Sequence, residues 1–450
     1  MGLILGDFSL STVVLMIRGE CHRERVFCQS VGFDDDRVGH RSPRIGSTVP
    51  FRLLRPDQVS SVDYGHKMTG HKKGRMVLYL YFAVFLTRIG FGAVTIIFPL
   101  YLAANSFQVG IILALYPMAE ATSAMPIGRL ADRHSRKALH VAGMLLITLL
   151  TAAIGFTTNL VNVSVLHALM GISAATAGVT SLTLLGDATK KTDRGKSMGG
   201  FDLANLGGYG LGFGLGSLLV NTFPARLSYA FWLTSTIFLV AGIMALKLLN
   251  EPVRIEIIKH AQRIPRIGAR IRPILPVWIA QTVILGMYFL LPKAIKETSF
   301  VPTTETLIFL GVLGGLFAAG AIIFGHVSDK IGRTRIMTLG ALGEVGFLVI
   351  FGWSFPNFDR FPINLFLAPL FFLASAIAPS ILAYVSDISG RIKRGSANAL
   401  YSTVLSIGLA IGNILGGLMA DTGGIRLIFY AGAGLLFPSV LASAAMLRRK

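Results

Sequence analysis

Three ionisable residues, Arg88, Glu120 and His167, stand inside otherwise apolar stretches of this chain. Set in such surroundings, a guanidinium can hold an anion, a carboxyl can take up and release a proton, and an imidazole titrates near neutral pH. A second set of charges recurs in two short loops. Gly128, Asp132, Arg133 and Arg136 lie in GRLADRHSRK, and Gly325, Asp329, Lys330 and Arg333 lie in GHVSDKIGR, 197 residues later. Asp187 precedes Arg194-Gly195, and Asp387 precedes Arg394-Gly395, an offset of 200. A glycine ladder follows each, Gly208, Gly212 and Gly216 against Gly408, Gly412 and Gly416. Carboxylates and guanidiniums in this pattern can make and break ion pairs between helix ends. They form no nucleophile and base set, and the chain has no H-E-x-x-H. Cys21 and Cys28, its two cysteines, both lie near the N-terminus, so neither a metal nor a cofactor is expected in the apolar part. Gly195-Lys196-Ser197 has the ending of a phosphate loop, but Lys190 stands where the first Gly is required. An ATP-driven pump is therefore not expected, nor an enzyme of any class.

The elements that position these residues are membrane helices. Only 14% of the 450 residues are charged, against roughly 25% in an average soluble domain. Mean hydropathy is +0.66. The 50 Gly and 30 Phe suit helices that pack closely in lipid. Twelve stretches are long and apolar enough to span: 77–103, 107–128, 138–157, 160–186, 197–221, 226–248, 274–295, 305–326, 336–355, 361–386, 396–420 and 426–447. The fold expected is an all-α integral membrane protein with twelve transmembrane helices in two six-helix pseudo-symmetric halves. The N-terminal bundle covers 76–248 and the C-terminal bundle 274–450, joined by a basic cytoplasmic linker at 249–273. Residues 1–75 read as a disordered cytoplasmic tail, or as sequence upstream of a start at Met68 or Met76.

The formal net charge is +20, which raises the question of nucleic acid. Its distribution answers it. Lys and Arg gather in alternate loops, at 129–137, 190–196, 330–335, 391–394 and 448–450, as the positive-inside rule requires of cytoplasmic loops. Both termini are expected in the cytoplasm, with a lipid bilayer and no nucleic acid as partner. The expected location is the plasma (inner) membrane, multi-pass.

The loop Gly128-x-x-x-Asp132-Arg133-x-x-Arg136-Lys137, between the second and third of twelve helices, resembles the G-x-L-A-D-R-x-G-R-R/K signature of the major facilitator superfamily. Ser135 stands at the usual second Gly; the second copy keeps it as Gly332 but carries Ser328 and Lys330. The resemblance covers about 77–447 and implies secondary transport by alternating access. It also implies a cytoplasmic gate in which Gly128 and Gly325 let helix ends approach closely. Asp132 and Asp329 would meet helix amides, and Arg133, Arg136, Lys330 and Arg333 would meet Asp187 and Asp387. His167-x-x-x-Gly171 sits where drug/proton antiporters of the superfamily have Arg and Gly. Gly208 to Ser217 resembles their G-x-x-x-G-P-x-x-G-G motif, with Phe213 for the Pro and Ser217 for the last Gly. Close helix packing is the plain reading of this ladder and of its copy at Gly408, Gly412 and Gly416.

Arg88 lies eleven residues into the first span, roughly 16 Å from its end, and Glu120 eight residues before Gly128, roughly 12 Å from the same face. An Arg88–Glu120 ion pair is therefore expected, serving substrate anion, coupling proton or structure. His167 joins as a proton or hydrogen-bonding group. Gln281, Tyr288, Ser380 and Tyr384 are polar candidates in the second half. Glu344 lies on the ninth span, which the family architecture makes peripheral, so a structural role is expected of it. The leading function is proton-linked export of small organic or amphipathic compounds by a monomer, with protons as coupling ion. Import of a sugar or organic acid, or a membrane sensor of the same fold, are the alternatives. Asp132→Asn is expected to leave membrane insertion intact and to cut transport severely in vesicles; unimpaired flux would remove the gate reading.

Overall fold

The structure is a computed structural model describing residues 70–189, 194–249, 271–298, 300, 303–389 and 394–448. Residues 1–69 of the expected tail and most of the expected linker lie outside these residues. In hydrocarbon no water satisfies a free N–H or C=O, so the backbone must bond within its own segment. Helices follow: α1 (Gly70–Tyr101), α2 (Ser106–Arg133), α3 (Arg136–Ile154), α4 (Leu160–Ala188), α5 (Arg194–Thr222) and α6 (Ser228–Leu248) make the first half. The second half has α7 (Leu275–Met287), a 3-10 turn (Tyr288–Leu290), α8 (Leu291–Glu297), α9 (Thr304–Ile331) and α10 (Arg333–Ser354). It continues with α11 (Ile363–Ala374), α12 (Ile377–Ser389) and α13 (Arg394–Arg448). No strand occurs among the described residues.

Among the described residues eleven stretches are long and apolar enough to span a bilayer. One of them, Ser402–Arg448, has 47 residues, about 70 Å of helix against a hydrocarbon core of about 30 Å. Gly424 interrupts it with φ 68° and ψ −163°, a conformation natural to glycine, so α13 supplies two crossings. Six crossings thus precede the 250–270 segment and six follow it. Helix α1 begins at Gly70, ahead of the expected boundary at 76.

Each half repeats one close backbone contact between equivalent helices. A Cβ placed on Gly212 of α5 would lie 2.8 Å from Gly92 Cα of α1; on Gly208 it would lie 2.7 Å from Arg88 Cβ, and on Gly216 2.7 Å from Ala93 O. The second half repeats this between α13 and α7. A Cβ on Gly412 would lie 2.8 Å from Gly286 Cα, and one on Gly416 the same distance from Met287 Cα; Gly408 abuts Thr282. Real side chains do not come so close, and only glycine permits these crossings.

The halves meet along α2 and the first part of α13. Gly110 of α2 and Gly417 of α13 each leave room for the other backbone, beside Asn413 and Ser106. One turn on, the Asp421 carboxylate accepts the amides of Ser106 (2.8 Å) and Phe107 (2.9 Å). Asn105 and Gln108 form a capping box over the remaining turn. All four orphan amides of the α2 N-terminus are therefore satisfied, two of them by the opposite half. Ser106 Oγ also donates to Glu297 of α8 at 3.3 Å. This seam lies at the end of the bundle opposite the twin basic loops.

Two outcomes check this account. Gly212→Ala should destabilise the protein by about 1–3 kcal/mol through overpacking. Gly214→Ala, where a Cβ meets nothing within 4 Å, should not lower the thermal midpoint in detergent. Asp421→Ala should weaken the seam by about 1–2 kcal/mol, a roughly 5- to 30-fold population shift. Spin-label distances across that end should show a longer component growing in.

Candidate functional site

The first-half site is built from four helices. Arg88 of α1 is partly buried, and its Nη1 donates to the Tyr209 hydroxyl of α5 at 3.1 Å. The guanidinium also sits 5.2 Å from the Tyr209 ring centroid and 5.6 Å from that of Phe91. Stacking of this kind stabilises a cation that water does not fully reach. Tyr116 and Glu120, one turn apart on α2, are partly buried and in electrostatic reach of Arg88. No ion pair joins Arg88 to Glu120 within 4.0 Å; the direct pair expected from their depth is replaced by the Arg88–Tyr209 bond, with Glu120 standing off. Depth along two helices fixes height but not rotation about each axis, and rotation decided the partner.

His167 of α4 is buried between aromatic rings, 4.3 Å from the Phe98 centroid and 5.4 Å from that of Tyr116. Its Nδ1 has no hydrogen-bond partner among the described residues. Gly171, one turn further, lets α4 lie against the Tyr116 backbone, 3.1 Å from Ala119 Cβ in the sense of an added Cβ. Arg88, Tyr116, Glu120, His167 and Tyr209 thus form one cluster lined by Phe91 and Phe98. Tyr116 and Tyr209 were not singled out in the sequence. The available signals were their positions, four residues before Glu120 and directly after Gly208.

The second-half polar candidates gather elsewhere. Gln281 Nε2 of α7 donates to Glu344 Oε1 of α10 at 3.3 Å, and Tyr288 stands in electrostatic reach of Glu344. Glu344 is 4% exposed, so its side chain points inward from that span. Helix α10 packs against α11, α12 and α13, and Glu344 lies on its inward face. Tyr384 packs against the same core, and Ser380 is buried nearby on α12 with its hydroxyl unpartnered.

At the basic loops, the second copy is fully described at its arginine. Arg333 pairs with Asp329 of its own turn and donates Nε to Asp387 of α12 at 3.2 Å. Its Nη1 donates to Ser328 Oγ at 2.7 Å and to Gly325 O at 3.4 Å. Lys330 is exposed in the last turn of α9. In the first copy Arg136 Nε donates to Ala131 O at 3.4 Å, Arg133 is exposed, and the side chains of Asp132 and Asp187 lie outside the described residues. The close helix approach expected at Gly128 and Gly325 is absent in this conformation: a Cβ on either would meet nothing within 4 Å. The physical reason is that the tight seam between the halves sits at the other end. Among the described residues no group of His, Cys, Asp and Glu is arranged to hold a metal ion.

Comparison with known proteins fits this geometry. The family model described as the Major Facilitator Superfamily matches residues 80–374 and 318–450. Multidrug resistance protein 2 of Bacillus subtilis is 23% identical over 355 residues, covering 75% of this chain and 87% of that protein. Quinolone resistance protein NorA of Staphylococcus aureus is 25% identical over 366 residues, covering 77% and 90%. The crystal structure of a bacterial homologue of the human lysosomal transporter Spinster, inward-facing and unoccupied, superposes with a TM-score of 0.65 at 14% identity, covering 84% of this chain and 98% of that one. With the family match spanning both halves, a small-molecule substrate and a lipid bilayer are its partners, and the chain belongs to the Major Facilitator Superfamily as a membrane transporter, not an enzyme.

Proposed function

We propose that the protein exports small organic or amphipathic compounds from the cytoplasm in exchange for protons, working as a monomer in the plasma (inner) membrane. The observation that carries this reading is the first-half cluster: a cation, a carboxyl and two phenols at mid-depth, walled by aromatic rings. Flat apolar compounds find stacking surfaces there, and Glu120 is the group that can exchange a proton. The relatives' names, multidrug and quinolone resistance proteins, support the same substrate class.

The gathering of basic residues in alternate loops supports a cytoplasmic side for both termini. The seam at Ser106, Gly417 and Asp421 then closes the outer end, and the open space at Gly128 and Gly325 belongs to a cytoplasm-facing state. In that state an ionised Glu120 is balanced by Arg88, and substrate enters against the rings of Phe91, Tyr116 and Tyr209. Rocking of the halves closes the basic loops and opens the outer end. A proton from outside neutralises Glu120 there, substrate leaves, and the return carries the proton in.

A second reading has one observation in its favour. Among the described residues Arg88 makes a single hydrogen bond, so further donors are free for a carboxylate of an imported metabolite.

Proteoliposomes with an acid lumen separate the two. Ethidium and a quinolone should accumulate uphill, collapse of the pH gradient should abolish this, and Glu120→Gln should lower it about tenfold or more, 1.4 kcal/mol at least. A Glu120→Gln protein with the wild-type pH profile removes Glu120 as the coupling site. Uptake of an organic acid in place of ethidium moves the assignment to import.

A further inference from the structure

We propose that Glu344 is a second proton-binding site, seated in the C-terminal half and loaded or emptied as that half changes conformation. It rests on proton coupling as proposed above, but on residues that play no part in the first-half cluster.

Glu344 Oε1 accepts from Gln281 Nε2, while Glu344 Oε2 and Gln281 Oε1 are both buried without a hydrogen-bond partner. With an ionised carboxylate these are two acceptors with nothing to accept. With a proton on Glu344 Oε2 the groups become complementary: the acid O–H can donate to the amide oxygen while the amide N–H donates to the acid carbonyl. Such a two-bond ring satisfies both orphan oxygens of the pair, with no other residue needed. The arrangement is therefore matched to the neutral acid.

The surroundings point the same way. Glu344 lies among Ala341, Phe347 and Leu348 in the second-half core, with Gly343 beside it packed onto Leu373. Among the described residues of α7, α9, α11, α12 and α13 and the 3-10 turn, the titratable group facing it is Tyr288; no Lys, Arg or His is in electrostatic reach. An isolated carboxylate in such a setting is costly, and membrane-embedded acids are retained where they carry protons or ions. The residue 197 positions earlier, at the offset of the loop that opens this helix, is Ile147, so the group is no part of the repeat.

Its link to motion lies in Gln281. Helix α7, which carries Gln281, is in backbone contact with α13 through Gly286 and Gly412, and α13 forms the seam with α2 through Asn413, Gly417 and Asp421. Opening that seam moves the α7–α13 pair, and with it the amide that completes the ring on Glu344. Losing the amide and gaining water favours release of the proton.

The test uses the full chain in lipid nanodiscs and infrared difference spectroscopy. Glu344→Gln keeps the shape and the amide contact, so it should fold with an unchanged thermal midpoint. The wild type should show the C=O stretch of a buried protonated carboxyl at neutral pH. Glu344→Gln should abolish that band, Glu120→Gln should leave it, and Asp421→Ala, which opens the seam, should weaken it severalfold. In proteoliposomes Glu344→Gln should move fewer protons per ethidium than the wild type. A band that survives Glu344→Gln, or one whose intensity ignores Asp421→Ala, overturns the proposal, as does a wild-type proton-to-ethidium ratio in Glu344→Gln. Should the wild type move ethidium without protons, the export reading fails on its own, while the band and its response to the open seam still decide the protonation of Glu344.

Discussion

Each half of this protein depends on one place where two helix backbones touch. Lipid gives helices no hydrophobic reason to associate, so van der Waals contact and hydrogen bonds must hold them. Gly92 against Gly212, and Gly286 against Gly412, bring α1 to α5 and α7 to α13 as closely as main chains can lie. The polar chemistry is a by-product of that closeness. Because Gly208 has no side chain, the Arg88 stem lies directly against α5, and the next residue, Tyr209, receives the guanidinium. On the other side Gly286 seats α7 so that Gln281, just over one turn away, faces α10 and its carboxyl.

Much of this could be read from the chain. Span lengths follow from bilayer thickness, and two copies of a basic loop at a fixed offset fix a repeated architecture. Gly424 shows why the helix count needs the physical length as well as the pattern: 47 residues do not fit one crossing, and the backbone breaks from helical geometry at this glycine. What the chain did not disclose was rotation. Arg88 and Glu120 have matching depth, yet a helix turned a few tens of degrees offers the guanidinium to a phenol instead. Glu344 was assigned to the periphery by analogy with the position of its helix, whereas only its azimuth on α10 puts it inside. Gly128 and Gly325 were read as points of close approach, a property of one conformation that a sequence holds for all conformations at once.

The two halves share a frame and divide the chemistry. Arg88, Glu120, two phenols and an imidazole gather in the first half, and the second half buries Glu344 against an amide in its core. A symmetric frame gives a rocking motion with two equivalent end states. Asymmetric side chains make those states differ in what they bind, and without such a difference no ligand or proton could shift the balance between them.

The capping of α2 by Asp421 has an implication for how this family member can drift. The donors are main-chain amides, present whatever residue occupies 106 or 107, so on the α2 side the closure is written in the backbone. At 107 a substitution keeps the amide as long as proline is avoided, whereas Ser106 is buried and also donates to Glu297. All the selective pressure on this contact falls on position 421, where only a short acid both reaches the two amides and suits the helix dipole. A closure that one half supplies with side chain and the other with backbone is therefore hard to lose from one side and easy to lose from the other.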